Sequence, residues 1–190
     1  TAHGLASLFA LNGEVIHKGS VIQGGGIGII ASGYINFDYE YQQALIATGQ
    51  GQHEGDTWNS ISIISLNGSV NLYNDTNMKS KGDVLLKGHE NVTVGVIGTG
   101  SDGHITSDKG NINLIAETGD VTISTVGQVK AAQKVAIKAE LGTIYNEGDI
   151  EGKSVSLDAY GDINTDFWNK STPGNSSSII QATGTDKGDL

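Results

Sequence analysis

The sequence predicts an all-β fold, a right-handed parallel β-helix of about seven coils with two insertions, and three observations carry that expectation. Closely similar phrases recur: "NINLIAETGDVTIS" from Asn111, "KVAIKAELGTIYN" from Lys134 and "SVSLDAYGDINTD" from Ser154. Within them apolar residues alternate with period two, as in Ile112, Leu114 and Ala116 or Val135, Ile137 and Ala139, the pattern of a strand with one face turned inward. A glycine followed two residues later by Val or Ile recurs at Gly13, Gly33, Gly68, Gly103, Gly119, Gly142 and Gly161, at intervals of 20, 35, 35, 16, 23 and 19 residues.

A further strand is announced by Gly19-Val21, Gly82-Val84, Gly127-Val129 and Gly148-Ile150. Each unit then reads strand, glycine turn, strand, turn, strand. So short a unit closes no core alone, but stacked copies bury each Val, Ile, Leu or Ala over its counterpart in the next coil. At about 4.8 Å per coil, seven coils make a rod on the order of 34 Å long. Glycine is expected at the corners for its access to positive φ, with Asn12, Asn67, Asn146 and Asp120 there for local backbone bonding. An antiparallel sandwich is the competing arrangement, and the repeat near 20 residues favours the helix.

Composition agrees. The 190 residues include 28 glycines, one proline and no cysteine, and Val, Ile, Ser, Thr and Asn abound, the vocabulary of strands and tight turns. A formal charge of −10 repels nucleic acid, and all 11 basic residues are lysines, so the bidentate arginine fork that grips phosphate is absent. Disulfides and thiolate metal sites are excluded. No apolar run reaches the roughly 20 residues of a membrane-spanning helix. A start at threonine, without a basic leader, reads as a segment of a longer chain.

Along the chain, residues 1–170 are expected to form the repeat domain, with residues 24–28 ("GGGIG") as a corner before the strand that begins at Ile27. The first long interval holds an insertion at about 36–59. Tyr34, Phe37, Tyr39, Tyr41 and Trp58 lie in or beside it, among Asp38, Glu40, Glu54 and Asp56. Flat aromatic faces with polar handles suit sugar rings or protein partners, so these five are the candidate partner-binding residues. The plainer alternative is a surface hairpin whose Phe37, Tyr39 and Tyr41 only cover the rod.

A second insertion at 73–83, "YNDTNMKSKGD", reads as a solvated loop. "HEGD" at 53–56 has the spacing of a turn, and His3, His17, His89 and His104 show no zinc-ligand spacing, so no metal and no cofactor is assigned. "GTGSDGHIT" at 98–106 is a lone glycine–aspartate turn, weak as a calcium motif. "GQVKAAQKVAIKAELG" has helix formers, yet Val135, Ile137 and Ala139 alternate as strand. Trp168 is placed to cap the last regular coil, and residues 171–190 form a Ser/Gly-rich tail in which "SSIIQAT" supplies one more strand.

"GNINLIAETGDVTIS" and "GKSVSLDAYGDINTD" resemble the coils of filamentous haemagglutinin-like exoproteins, the secreted partners of bacterial two-partner secretion, which include contact-dependent growth inhibition effectors. The resemblance covers most of residues 5–166. That family's secretion domain carries Asn-Pro motifs, whereas the one proline here is Pro173, so the resemblance implies the repeat region. It implies a structural and adhesive segment of a secreted filament at the bacterial cell surface. A host or bacterial surface receptor or glycan would be its partner, and an outer-membrane transporter would export the parent protein. No catalysis is expected. Two alternatives are a polysaccharide-active enzyme, for which Asp38, Glu40, Glu54 and Asp56 are the dense acidic set, and a phage or bacteriocin fibre segment.

Overall fold

The computed structural model describes residues 4–19, 21–38, 43–47, 59–73, 76–95, 103–165 and 180–182, and among them there are strands and turns but no helix. The first coil is β1 (Leu5–Ala10), β2 (Val15–Lys18) and β3 (Val21–Gly24), and the second β4 (Gly26–Ala31), β5 (Ile35–Asp38) and β6 (Gln43–Ala47). Next come β7 (Ile61–Ser65), β8 (Val70–Leu72) and β9 (Thr76–Ser80), then β10 (Val84–Gly88), β11 (Val92–Val94) and β12 (Gly103–Ser107). The fifth coil is β13 (Ile112–Ala116), β14 (Val121–Ile123) and β15 (Gln128–Ala131). The last two are β16 (Lys134–Ala139), β17 (Ile144–Asn146) and β18 (Asp149–Gly152), then β19 (Ser154–Ala159), β20 (Ile163–Thr165) and β21 (Ile180–Ala182).

Every third strand joins the same sheet, giving three parallel seven-stranded faces and the expected β-solenoid. The first face is β1-β4-β7-β10-β13-β16-β19, the second begins at β2 and the third at β3. Register is set by inward apolar columns. Ile27, Ile61, Val84, Ile112, Val135 and Val155 stack on the first face. Val15, Ile35, Val70, Val92, Val121, Ile144 and Ile163 stack on the second. Leu45, Met78, Ile105, Val129 and Ile150 stack on the third. A slip of one residue would turn a whole column out to water, which is why alternation fixes the pairing.

The 73–83 stretch is not a solvated insertion. Within it β9 is a regular rung of the third face, with Thr76, Met78 and Ser80 buried and Asn77 and Lys79 outward. The inward hydroxyls are satisfied: Thr76 Oγ1 donates to the Tyr73 carbonyl at 2.6 Å and Ser80 Oγ to that of Asn59 at 2.7 Å. Likewise β5 and β6 are ordinary rungs inside the 36–59 stretch, while residues 48–58 lie outside the described ones. Gly103-Ile105 proves to open a strand of the third face and Gly82-Val84 one of the first, so the glycine signal marks more than one kind of corner.

The corner glycines are needed for a different reason than positive φ, which among the described glycines occurs only at Gly19 (56°) and Gly95 (78°). From the first to the second face the chain turns at one stacked position. There Gly33 N donates to Gly13 O at 2.9 Å, Glu90 N to Gly68 O at 3.0 Å, Gly119 N to Glu90 O at 3.0 Å and Gly161 N to Gly142 O at 2.8 Å. A Cβ on Gly68 would stand 3.0 Å from Tyr34 N, and one on Gly142 would fall on Gly119 O. At these two glycines the close approach of one coil's backbone to the next leaves no room for a side chain.

Beside that stack runs a ladder of side chains holding backbone amides of the following coil. Asn91 N donates to Ser69 Oγ (3.2 Å), Asp120 N to Asn91 Oδ1 (2.8 Å) and Thr143 N to Asp120 Oδ1 (2.8 Å). The corner between the third and first faces repeats the device, with Asn111 N on Asp83 Oδ1 (2.7 Å) and Lys134 N on Asn111 Oδ1 (3.2 Å). Asp120→Ala leaves the Thr143 amide without its acceptor. The expected cost is about 1–2 kcal/mol, read by denaturant unfolding, with faster hydrogen exchange at Thr143.

Candidate functional site

Of the five aromatic residues expected to meet a partner, Tyr39, Tyr41 and Trp58 lie outside the described residues. Phe37 is in the core. It is an inward residue of β5 with no exposed surface, paired in register with His17 and Leu72, its ring centroid 5.7 Å from that of His17. The alternation that made Phe37 look like a surface aromatic points it inward, because Ile35 beside it begins the buried column. Tyr34 alone of the five is both described and exposed, at 40%.

Tyr34 belongs to a feature the sequence did not announce. Large hydrophobics stand out in the first coil, at Leu5, Leu8, Phe9, Leu11, Ile16 and Val21, and in the last at Tyr160 and Ile163. Between those end coils, the exposed large hydrophobics among the described residues are Tyr34, Leu66 and Leu141, and all three sit at the corner between the first and second faces. Leu11 and Tyr160 continue the same corner into the end coils, and Leu11, Leu66, Leu141 and Tyr160 are 51–81% exposed. The backbone of this corner is stacked coil on coil: Leu66 N donates to Ala31 O and Tyr160 N to Ala139 O, and the same bonds place Ser32 between Leu11 and Leu66, and His89, Glu117 and Glu140 between Leu66 and Tyr160. The corner is therefore a ridge along the rod, with apolar residues toward either end.

The middle of the ridge is charged. Glu90 occupies the rung where Gly68 and Gly119 stand below and above it, so one carboxylate replaces a corner glycine. Its side chain accepts from Ser69 Oγ at 3.3 Å and is hydrogen-bonded to Tyr34, two coils back. That bond and the Glu90 charge hold the Tyr34 hydroxyl above its ordinary value, so the phenol stays a neutral donor. One coil on, Glu117 receives Lys87 Nζ at 2.6 Å and His89 Nδ1 at 2.9 Å. Lys87 first and His89 second draw its carboxyl below the usual range, and Lys87 is raised in return.

The sign of the Glu117 effect follows from that depression. Its stabilisation is fully present above the unfolded value near 4.5 and is lost as pH falls through the lower folded value. Both partners are about a third exposed, so the term is expected to stay under about 1 kcal/mol. Glu117→Gln removes it. Between about pH 6 and pH 3 the wild type should lose more stability than the variant in urea unfolding, and equal losses would contradict the ion-pair assignment.

Among the described residues no three His, Asp or Glu side chains come together as a metal-binding group, and "HEGD" at 53–56 lies outside them. The ridge offers apolar contact and hydrogen bonding along a rigid edge. Compared with known proteins, the chain matches no family model, no curated protein and no solved structure.

Proposed function

We propose that the chain is a structural and adhesive segment of a large secreted filament at the bacterial surface, a rigid rod whose first corner meets a partner. The observation that carries this reading is that Tyr34, Leu66 and Leu141, the exposed large hydrophobics described between the end coils, all lie at the corner between the first and second faces, with Leu11 and Tyr160 at the same corner beyond them. Exposed apolar residues gathered on one element, around a polar centre, are the mark of a contact surface. Tyrosine and leucine on a preorganised backbone lose little entropy on binding. A host or bacterial surface receptor or glycan is the partner this reading requires. The solenoid and the resemblance of its coils to exoprotein repeats support placing it outside the cell, with export of the parent protein through an outer-membrane transporter.

The test is binding of the labelled chain to bacterial and host cells, wild type against the triple variant Leu66→Ser, Leu141→Ser and Tyr160→Ser. These side chains leave the core untouched, so folding by circular dichroism should be unchanged while saturable binding falls by at least about tenfold. Equal binding by the two proteins would reject the ridge, and absence of binding by both would leave the rod as a spacer.

A further inference from the structure

Where the chain passes from the second to the third face in the fifth and sixth coils, three buried oxygens have no partner. Ser124 Oγ, Asn146 Oδ1 and Glu147 Oε1 make no hydrogen bond, although Ser124 and Asn146 are wholly buried and Glu147 is 6% exposed. They share one corner. The register pairs Ile123 with Asn146, and Glu147 N donates to Ile123 O at 2.9 Å, which stacks Glu147 over Ser124. The other Glu147 oxygen accepts from Thr125 Oγ1 at 2.8 Å. The Asn146 amide donates to Gly148 O at 3.1 Å, leaving its carbonyl oxygen free to accept.

No lysine answers this carboxylate: the ion pairs among the described residues use Glu117, Glu140, Glu151 and Asp108. A buried carboxyl oxygen left without a hydrogen-bond partner or a countercharge is costly for a fold to hold. Thr125 also lines an open pocket of about 270 Å³ with Val126, Gly127, His104, Gln128 and Asp149. His104, Gln128 and Asp149 are one register column at the start of the third face, so a second carboxylate stands at the pocket mouth two residues from Glu147.

We propose that this corner binds one hard divalent cation of the calcium class. Glu147 Oε1 is the anionic ligand, Asn146 Oδ1 and Ser124 Oγ are neutral ligands, and Asp149 acts at the mouth directly or through water. The donors are all oxygen, which selects calcium over the nitrogen- and sulfur-seeking metals, and calcium's variable coordination suits a site completed by water. Bound there, the ion ties the fifth coil to the sixth.

The experiment uses the full chain stripped with chelator and titrated with calcium chloride by calorimetry, with thermal unfolding measured in calcium and in chelator. One saturable site and a higher midpoint in calcium are expected. Glu147→Gln keeps the shape and the Thr125 contact and should weaken binding by at least about tenfold, with Asp149→Asn giving a smaller loss. If Glu147→Gln does not fold, Ser124→Ala takes its place, with a several-fold loss expected. A wild type with no saturable uptake and equal midpoints overturns the proposal. So does calcium binding that Glu147→Gln, or Ser124→Ala in its place, leaves unchanged.

Discussion

Phe37→Ala is expected to lower the stability of the rod by about 3–5 kcal/mol, the cost of emptying an aromatic site in a packed interior. Among the described residues Phe37 is the largest of the fully buried side chains, held between His17 of the first coil and Leu72 of the third. Each coil's strands pair only with those of its neighbours, so the void weakens the stacking of three coils and no distant strand makes it good. For a chain of this size the melting midpoint should fall by very roughly 6–20 °C. Circular dichroism melts check it. A midpoint within about 2 °C of wild type would mean that the ring faces water, as a partner-binding aromatic would.

Gly142→Ala should be nearly as damaging, for the opposite reason. Nothing is emptied; a methyl group is pushed onto the carbonyl of Gly119 in the coil below, which is backbone and cannot rotate away. The loss is expected at the upper end of the roughly 1–3 kcal/mol typical of overpacking. Gly13→Ala is the matched control. Gly13 has the same place in the first coil, where a Cβ would meet nothing within 4 Å, and its substitution should stay within about 0.5 kcal/mol of wild type. Equal effects at the two positions would return the explanation to backbone dihedrals.

The solenoid was legible in the sequence because its inward positions are so consistently apolar. Val135, Ile137 and Ala139 lie over Ile112, Leu114 and Ala116 in the register that their repeated phrases suggest. β9 was hidden because two of its three inward side chains are hydroxyls, and a hydroxyl bonded to a corner carbonyl leaves no trace in an apolar count. Phe37 was misplaced because alternation shows that two faces exist without saying which is buried, and the aromatics that follow it drew the eye outward.

The ridge was missed because its members stand far apart along the chain and meet only through the coil rise. A signal was present all the same. Leu11, Leu66, Leu141 and Tyr160 each come within two residues before a corner glycine, where a strand has ended and a large apolar side chain has no core to enter. The unpartnered oxygens near Glu147 had no such signature, since Ser, Asn and Glu at a turn are what turns ordinarily contain.

Neighbour-only stacking has a mechanical consequence. On the first face successive coils advance by 20 to 34 residues in register, as from Val135 to Val155 and from Ile27 to Ile61, yet each adds only about 4.8 Å of axis. Pulled from its two ends, such a rod should peel one winding at a time, each release paying out roughly 65–110 Å of slack at about 3.4 Å per freed residue. A tether built this way lengthens many times over before it parts, and each lost winding leaves the remainder intact and able to rewind when the load falls.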